Sequence, residues 1–113
     1  MKFVFTDKKV TLPASVHAYA EKKVGKLDRY FSSEAEAAIT FSVEKDRNRA
    51  EVTVRSGSMI LRASESTSDM RASIDAAVST IERQIRKNKA RLEKRLRKDA
   101  FERSVDVAEV SDF

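Results

Sequence analysis

Apolar and polar residues alternate in four stretches of the chain, and apolar residues recur every three or four positions in two others, which predicts four strands and two helices. In Lys2 to Thr6, Phe3 and Phe5 take one side and Lys2, Val4 and Thr6 the other. Pro13 follows, where a first helical turn tolerates it best. A helix is predicted from Ala14 to Tyr30. Val16, Ala20, Val24, Leu27 and the adjoining Phe31 form its apolar stripe, with Lys22, Lys26 and Arg29 opposite. Ala37, Ile39, Phe41 and Val43 then alternate with Ala38, Thr40, Ser42 and Glu44. After a predicted turn at Asp46-Arg47-Asn48, Ala50, Val52 and Val54 alternate with Glu51, Thr53 and Arg55. Ser56-Gly57-Ser58 reads as a second turn, leading into Met59 to Glu65 with Met59, Leu61 and Ala63 facing the core. Ser66, Thr67, Ser68 and Asp69 offer several N-caps for a long helix from Met70 to Lys98.

That long helix has the strongest pattern. Ile74, Ala77, Val78, Ile81, Ile85, Leu92 and Leu96 form a stripe that only Asn88 interrupts. At 100° per residue the opposite side collects Arg83, Arg86, Lys87, Lys94 and Arg97, flanked by Lys89, Arg91, Arg95 and Lys98. The order is therefore βαβββα, with each strand buried on one face only. An α+β two-layer sandwich follows, in which both helices cover the same side of a four-stranded sheet. The long helix spans about 40 Å and the strands about 23 Å, so its last turns overhang the sheet.

Charge sharpens this picture. The 113-residue chain has a net charge of +5 and a pI near 9.6, yet Arg83 to Lys98 holds nine bases against Glu93 alone. A solvated helix face is the plain alternative. Such faces usually carry acids in i,i+4 register, and here only Glu82 with Arg86, and Glu93 with Arg97, supply one. The surplus points to a phosphate-binding surface.

Other chemistry is thinly represented. There is no cysteine or tryptophan, and two glycines and one proline leave little for a loop-built pocket or a phosphate-cradling loop. His17, the only histidine, sits at the edge of the first helix's stripe and reads as a boundary side chain, so no metal site and no cofactor are expected. Glu44 and Glu51 read as cross-strand partners of Arg55 or Arg62, not as an acid/base pair. The chain reads as a binder and not an enzyme. No apolar run is long enough for a signal peptide or a membrane span, which places it in the cytoplasm. A folded domain is expected over residues 1–98. The segment 99–113 is acidic and aperiodic, and is expected to be a disordered tail or the start of a linker.

Specific residues bring a family into view. They are Tyr19-Ala20-Glu21-Lys22-Lys23-Val24 and Leu27 through Tyr30-Phe31 in the first helix, and Arg62-Ala63 in the last strand. In the long helix they are Ser68-Asp69-Met70, Ala72, Ile74-Asp75-Ala76-Ala77-Val78, Ile81 through Lys87, and Lys89. Over about residues 1–98 the chain resembles the ribosome hibernation-promoting factors, the family that includes ribosome-associated inhibitor A. The resemblance implies a βαβββα domain similar to double-stranded-RNA-binding folds, seated between head and body of the small ribosomal subunit. Its basic helices would lie against ribosomal RNA, in the space of messenger RNA and of A- and P-site transfer RNA, inhibiting translation in resting cells. RNA contact carries over by resemblance to Lys22, Lys23, Lys26, Arg29, Arg83, Arg86, Lys87, Lys89 and Arg91, and Lys94 lies on the same basic face. Family members commonly have tyrosine where this chain has Arg71 and Asn88. Long members carry a second domain that pairs two ribosomes, so pairing is expected only with a domain beyond Phe113; a fragment of a long form is the favoured expectation. Two other functions stay open. One is a generic duplex RNA or DNA binder; the other is a protein-interaction module docking through the basic helix, with Leu92 and Leu96 as anchors.

Overall fold

The computed structural model describes residues 1–31 and 34–87. Its elements are β1 (Lys2–Lys8), α1 (Ala14–Gly25), a 3-10 turn (Lys26–Tyr30), β2 (Glu36–Glu44), β3 (Arg47–Ser56), β4 (Met59–Thr67) and α2 (Met70–Lys87). The four strands form one mixed sheet in the order β1-β2-β3-β4. β1 runs parallel to β2, with α1 as the crossover, and the other two pairings are antiparallel.

The chain divides into two compact units, Met1–Glu82 and Arg83–Phe113. In the first, one register puts Ala37, Ile39 and Phe41 on the same sheet face as Ala50, Val52, Val54 and Ala63, and all seven are buried. Ala20, Val24 and Leu27 from α1 and the 3-10 turn, and Ile74, Ala77, Val78 and Ile81 from α2, complete that core. Val4 and Ile60 on the other sheet face are 42% and 55% exposed, so among the described residues the sheet is covered on one side only. Burying a large aliphatic or aromatic side chain such as Ile39 or Phe41 contributes about 1.5–3 kcal/mol. Of the second unit the described part is the end of α2, where Ile85 is buried and Arg83, Arg86 and Lys87 are exposed.

Three local expectations are corrected. The predicted helix over Ala14–Tyr30 tightens into the 3-10 turn after Gly25, a poor helix former at which a regular α-helix readily gives way. The β2–β3 turn is Lys45–Asp46, not Asp46-Arg47-Asn48, because Glu44 pairs with Arg47 and a two-residue hairpin needs positive φ, which Lys45 adopts at 55°. Asn48 is thereby drawn into β3, where its amide donates to the Ser68 carbonyl at 3.2 Å and its carbonyl accepts the buried Ser73 hydroxyl at 2.5 Å. The third correction concerns the wet sheet face. Arg49 pairs with Glu51 at 3.0 Å, two residues along the same strand, while Arg62 donates to Thr53 and Glu44 stands opposite Arg47.

Among the candidate caps of α2, Asp69 is the one used: its Oδ2 accepts the Ala72 N–H at 3.0 Å. The expected domain end at Lys98, the overhanging turns with Asn88, Leu92 and Leu96, and the segment 99–113 lie outside the described residues.

Candidate nucleic-acid interface

The first cationic row stands on α1 and the 3-10 turn. Steps of one and three residues bring Lys22, Lys23, Lys26 and Arg29 onto the surface away from Ala20, Val24 and Leu27. Lys22 and Lys26 are exposed, and neither pairs with a carboxylate among the described residues. Arg29 lies over the Tyr30 ring, its Cζ 4.8 Å from the centroid, and donates to the Tyr30 hydroxyl at 2.7 Å, which fixes the guanidinium while leaving it exposed.

Lys23 is the inner member of the row. Together with Lys26 and Arg29 it forms one wall of an open groove of about 430 Å³, whose opposite wall is Asp75, Ser79 and Glu82 of α2, with Val78 between. The groove is divided by charge, with bases on α1 and the 3-10 turn and acids on α2. Sequence patterning did not foresee this, because it weighed the basic end of α2 and not its first three turns.

A cluster joins the two helices at Tyr19. The Tyr19 hydroxyl donates to Asp75, 2.8 Å from Oδ1 and 2.9 Å from Oδ2. Lys23 Nζ lies 3.9 Å from the same carboxylate and 5.5 Å from the Tyr19 ring centroid, and Arg71 Cζ lies 5.1 Å from that centroid. The hydrogen bond to Asp75 raises the Tyr19 pKa above its ordinary 10.0, because a phenolate there would face a carboxylate. Local signals for this cluster exist as two i,i+4 spacings, Tyr19 with Lys23 and Arg71 with Asp75. That the two pairs meet is tertiary information.

His17 occupies the boundary position expected of it. Its Nε2 lies 2.8 Å from Asp7 Oδ1, and its ring stacks beside Phe5 and Phe41 at 5.1 and 5.5 Å. Asp7 also accepts the Leu12 N–H at 3.0 Å; that bond first, and His17 second, hold its pKa below the ordinary 3.8. The pair ties the end of β1 to α1 and lies among core rings, which makes it structural. Among the described residues no cluster of acids and histidine could hold a metal ion, and no helix is long and apolar enough to cross a membrane.

Of the remaining predicted contacts, Arg83, Arg86 and Lys87 occupy the last five residues of α2. Lys89, Arg91 and Lys94 lie outside the described residues.

The described residues form a small α+β domain with an exposed cationic row on α1 and the 3-10 turn. Its fold and sequence identify the kind. The profile of the Sigma 54 modulation protein / S30EA ribosomal protein family matches residues 3–98, and the chain belongs to that family. It is 37% identical over 100 residues to the ribosome hibernation promotion factor of Lactococcus lactis subsp. cremoris, covering 86% of this chain and 54% of that protein. The ribosome hibernation promotion factor of Staphylococcus aureus is 34% identical over 116 residues, covering all of this chain and 60% of its own length. The chain thus spans little more than half the length of these relatives. Among solved structures, the Thermus thermophilus Protein Y N-terminal domain superposes with a TM-score of 0.70 at 30% identity, covering 77% of this chain and 98% of that domain. A ribosomal subunit interface protein from Coxiella burnetii shares the fold, with a TM-score of 0.69 at 21% identity over 80% of this chain and 99% of that one.

Proposed function

We propose that this chain is a ribosome hibernation factor that acts without catalysis. It binds ribosomal RNA in the decoding groove of the small subunit and occupies the space of messenger RNA and transfer RNA. Resting ribosomes are thereby held out of translation in the cytoplasm. The observation that carries this reading is the exposed Lys22 and Lys26, without a carboxylate partner among the described residues, in a chain whose relatives are ribosome hibernation promotion factors. Lys23 and Arg29 belong to the same row, and Arg83, Arg86 and Lys87, with Lys89, Arg91 and Lys94, are proposed RNA contacts of the second unit. Each base that meets a phosphate releases condensed counterions, so affinity follows backbone and shape more than base sequence.

The test is sedimentation of the chain with purified small subunits. The chain co-sediments at low salt, and the triple variant Arg83→Glu, Arg86→Glu, Lys87→Glu is left in the supernatant. Unaltered association of that variant overturns the proposal. Free duplex RNA that displaces the chain from subunits at equal phosphate concentration would instead support a generic duplex binder.

A further inference from the structure

The Tyr19 cluster holds two cations from different helices at one aromatic ring, and one of them, Arg71, belongs to none of the contacts assigned above. We propose that Arg71 and Lys23 form a phosphate-binding pair, presented by a clasp between Tyr19 and Asp75. This rests on the RNA-binding reading and adds a contact to it.

The cluster is poorly suited to a purely stabilising role. The Lys23 and Asp75 side chains are 32% and 49% exposed, and their 3.9 Å separation is long for an ion pair. Exposed pairs of this kind contribute little to folding once side-chain ordering is subtracted. Arg71 is exposed and forms no ion pair among the described residues, its described contact being the face of the Tyr19 ring. What the cluster does achieve is order. The ring attracts both cations, each within about 6 Å of its centroid as cation–π contact requires. The hydroxyl meanwhile shares its one proton between the two oxygens of Asp75. A carboxylate that already accepts from a neutral donor holds the Lys23 ammonium less tightly, at 3.9 Å, and leaves its donors available to an outside anion.

The ligand chemistry follows from the two heads. A guanidinium offers a planar fork that grips a phosphate through two parallel hydrogen bonds, and an ammonium supplies a point charge beside it. Held at one ring, they suit neighbouring phosphates of a single RNA strand. Lys23 also lines the groove with Lys26 and Arg29, so the pair prolongs the α1 row onto the start of α2. Arg71 is thus a binding residue, and Tyr19 is a positioning residue that acts through Lys23 and Arg71.

The experiment measures equilibrium binding of the full chain to purified small subunits across a salt series, with thermal melting as the folding control. Arg71→Ala weakens binding about tenfold at low salt and lowers the slope of log K against log salt by about one. Tyr19→Phe, which keeps the ring and the charge, weakens binding about threefold in the wild-type background and has no effect in a Lys23→Ala, Arg71→Ala background. Binding by Arg71→Ala within twofold of wild type at an unchanged slope overturns the pair. An equal effect of Tyr19→Phe in both backgrounds overturns the clasp. If the wild-type chain binds while these outcomes fail, only this inference falls; if the wild-type chain does not bind, the proposed function falls and takes it along.

Discussion

The two faces of the Met1–Glu82 unit carry similar residue types in opposite arrangements. On the open sheet face, arginines stand close to acids: Arg55 is opposite Glu36, Arg47 is opposite Glu44, and Arg49 is bonded to Glu51 at 3.0 Å. Along α1 and the 3-10 turn, Lys22 and Lys26 point outward with no acid paired to them among the described residues. Opposite charges placed across neighbouring strands stabilise a sheet by a few tenths to about 1 kcal/mol per pair, so the register favours the sheet face as it stands. The acids nearest this row, Asp75 and Glu82, stand across the groove, and in the proposed function an RNA backbone supplies the remaining counter-charge. In the proposed function, local compensation, and not the number of bases, separates the solvated sheet face from the face offered to RNA.

That contrast is broken most directly by moving the same charge on each face. Lys22→Glu with Lys26→Glu is expected to weaken small-subunit binding about a hundredfold, whereas Arg47→Glu with Arg55→Glu, an equal change in net charge, shifts it by no more than about threefold. Equal losses in a side-by-side titration would mean that net charge alone is being read.

A smaller effect isolates the scaffold from the surface. Asp69→Ala removes the N-cap of α2 and is expected to lower unfolding free energy by about 1 kcal/mol in urea denaturation, with subunit affinity of the folded protein unchanged. An affinity loss much larger than the stability loss would tie the cap to the binding surface.

The smallest effect is on acid stability. Asp7, held below its ordinary 3.8 by the Leu12 N–H and by His17, stabilises the fold above that value, and the contribution is lost as pH falls through its lower folded value. Thermal melting of Asp7→Asn against wild type is expected to show a gap that narrows as the pH falls below about 4. A gap that widens on acidification would reverse the assignment.

Residues near in sequence carried most of the fold. Phe3 and Phe5 in β1, the alternation through Phe41 and Val54, and the stripe from Ile74 to Ile85 are all set by periods of two and 3.6, which a single segment reveals. The parallel pairing of β1 with β2 was not legible, because it depends on how α1 returns the chain and not on either strand alone. The Lys45–Asp46 turn was obscured by the polar Arg47 and Asn48, whose places are fixed by partners in β2 and α2. In the candidate interface, exposure of Lys22, Lys26 and Arg29 followed from helical spacing. The acidic wall of Asp75 and Glu82 and the Tyr19 cluster needed two helices brought together.

The most direct measurement is the salt dependence of binding between the wild-type chain and purified small ribosomal subunits. A row of phosphate contacts predicts that log K falls linearly with log salt, with a slope of magnitude about four or more. Tight binding with a slope near zero would mean that these bases do not meet phosphates, and would contradict the proposed RNA-binding row.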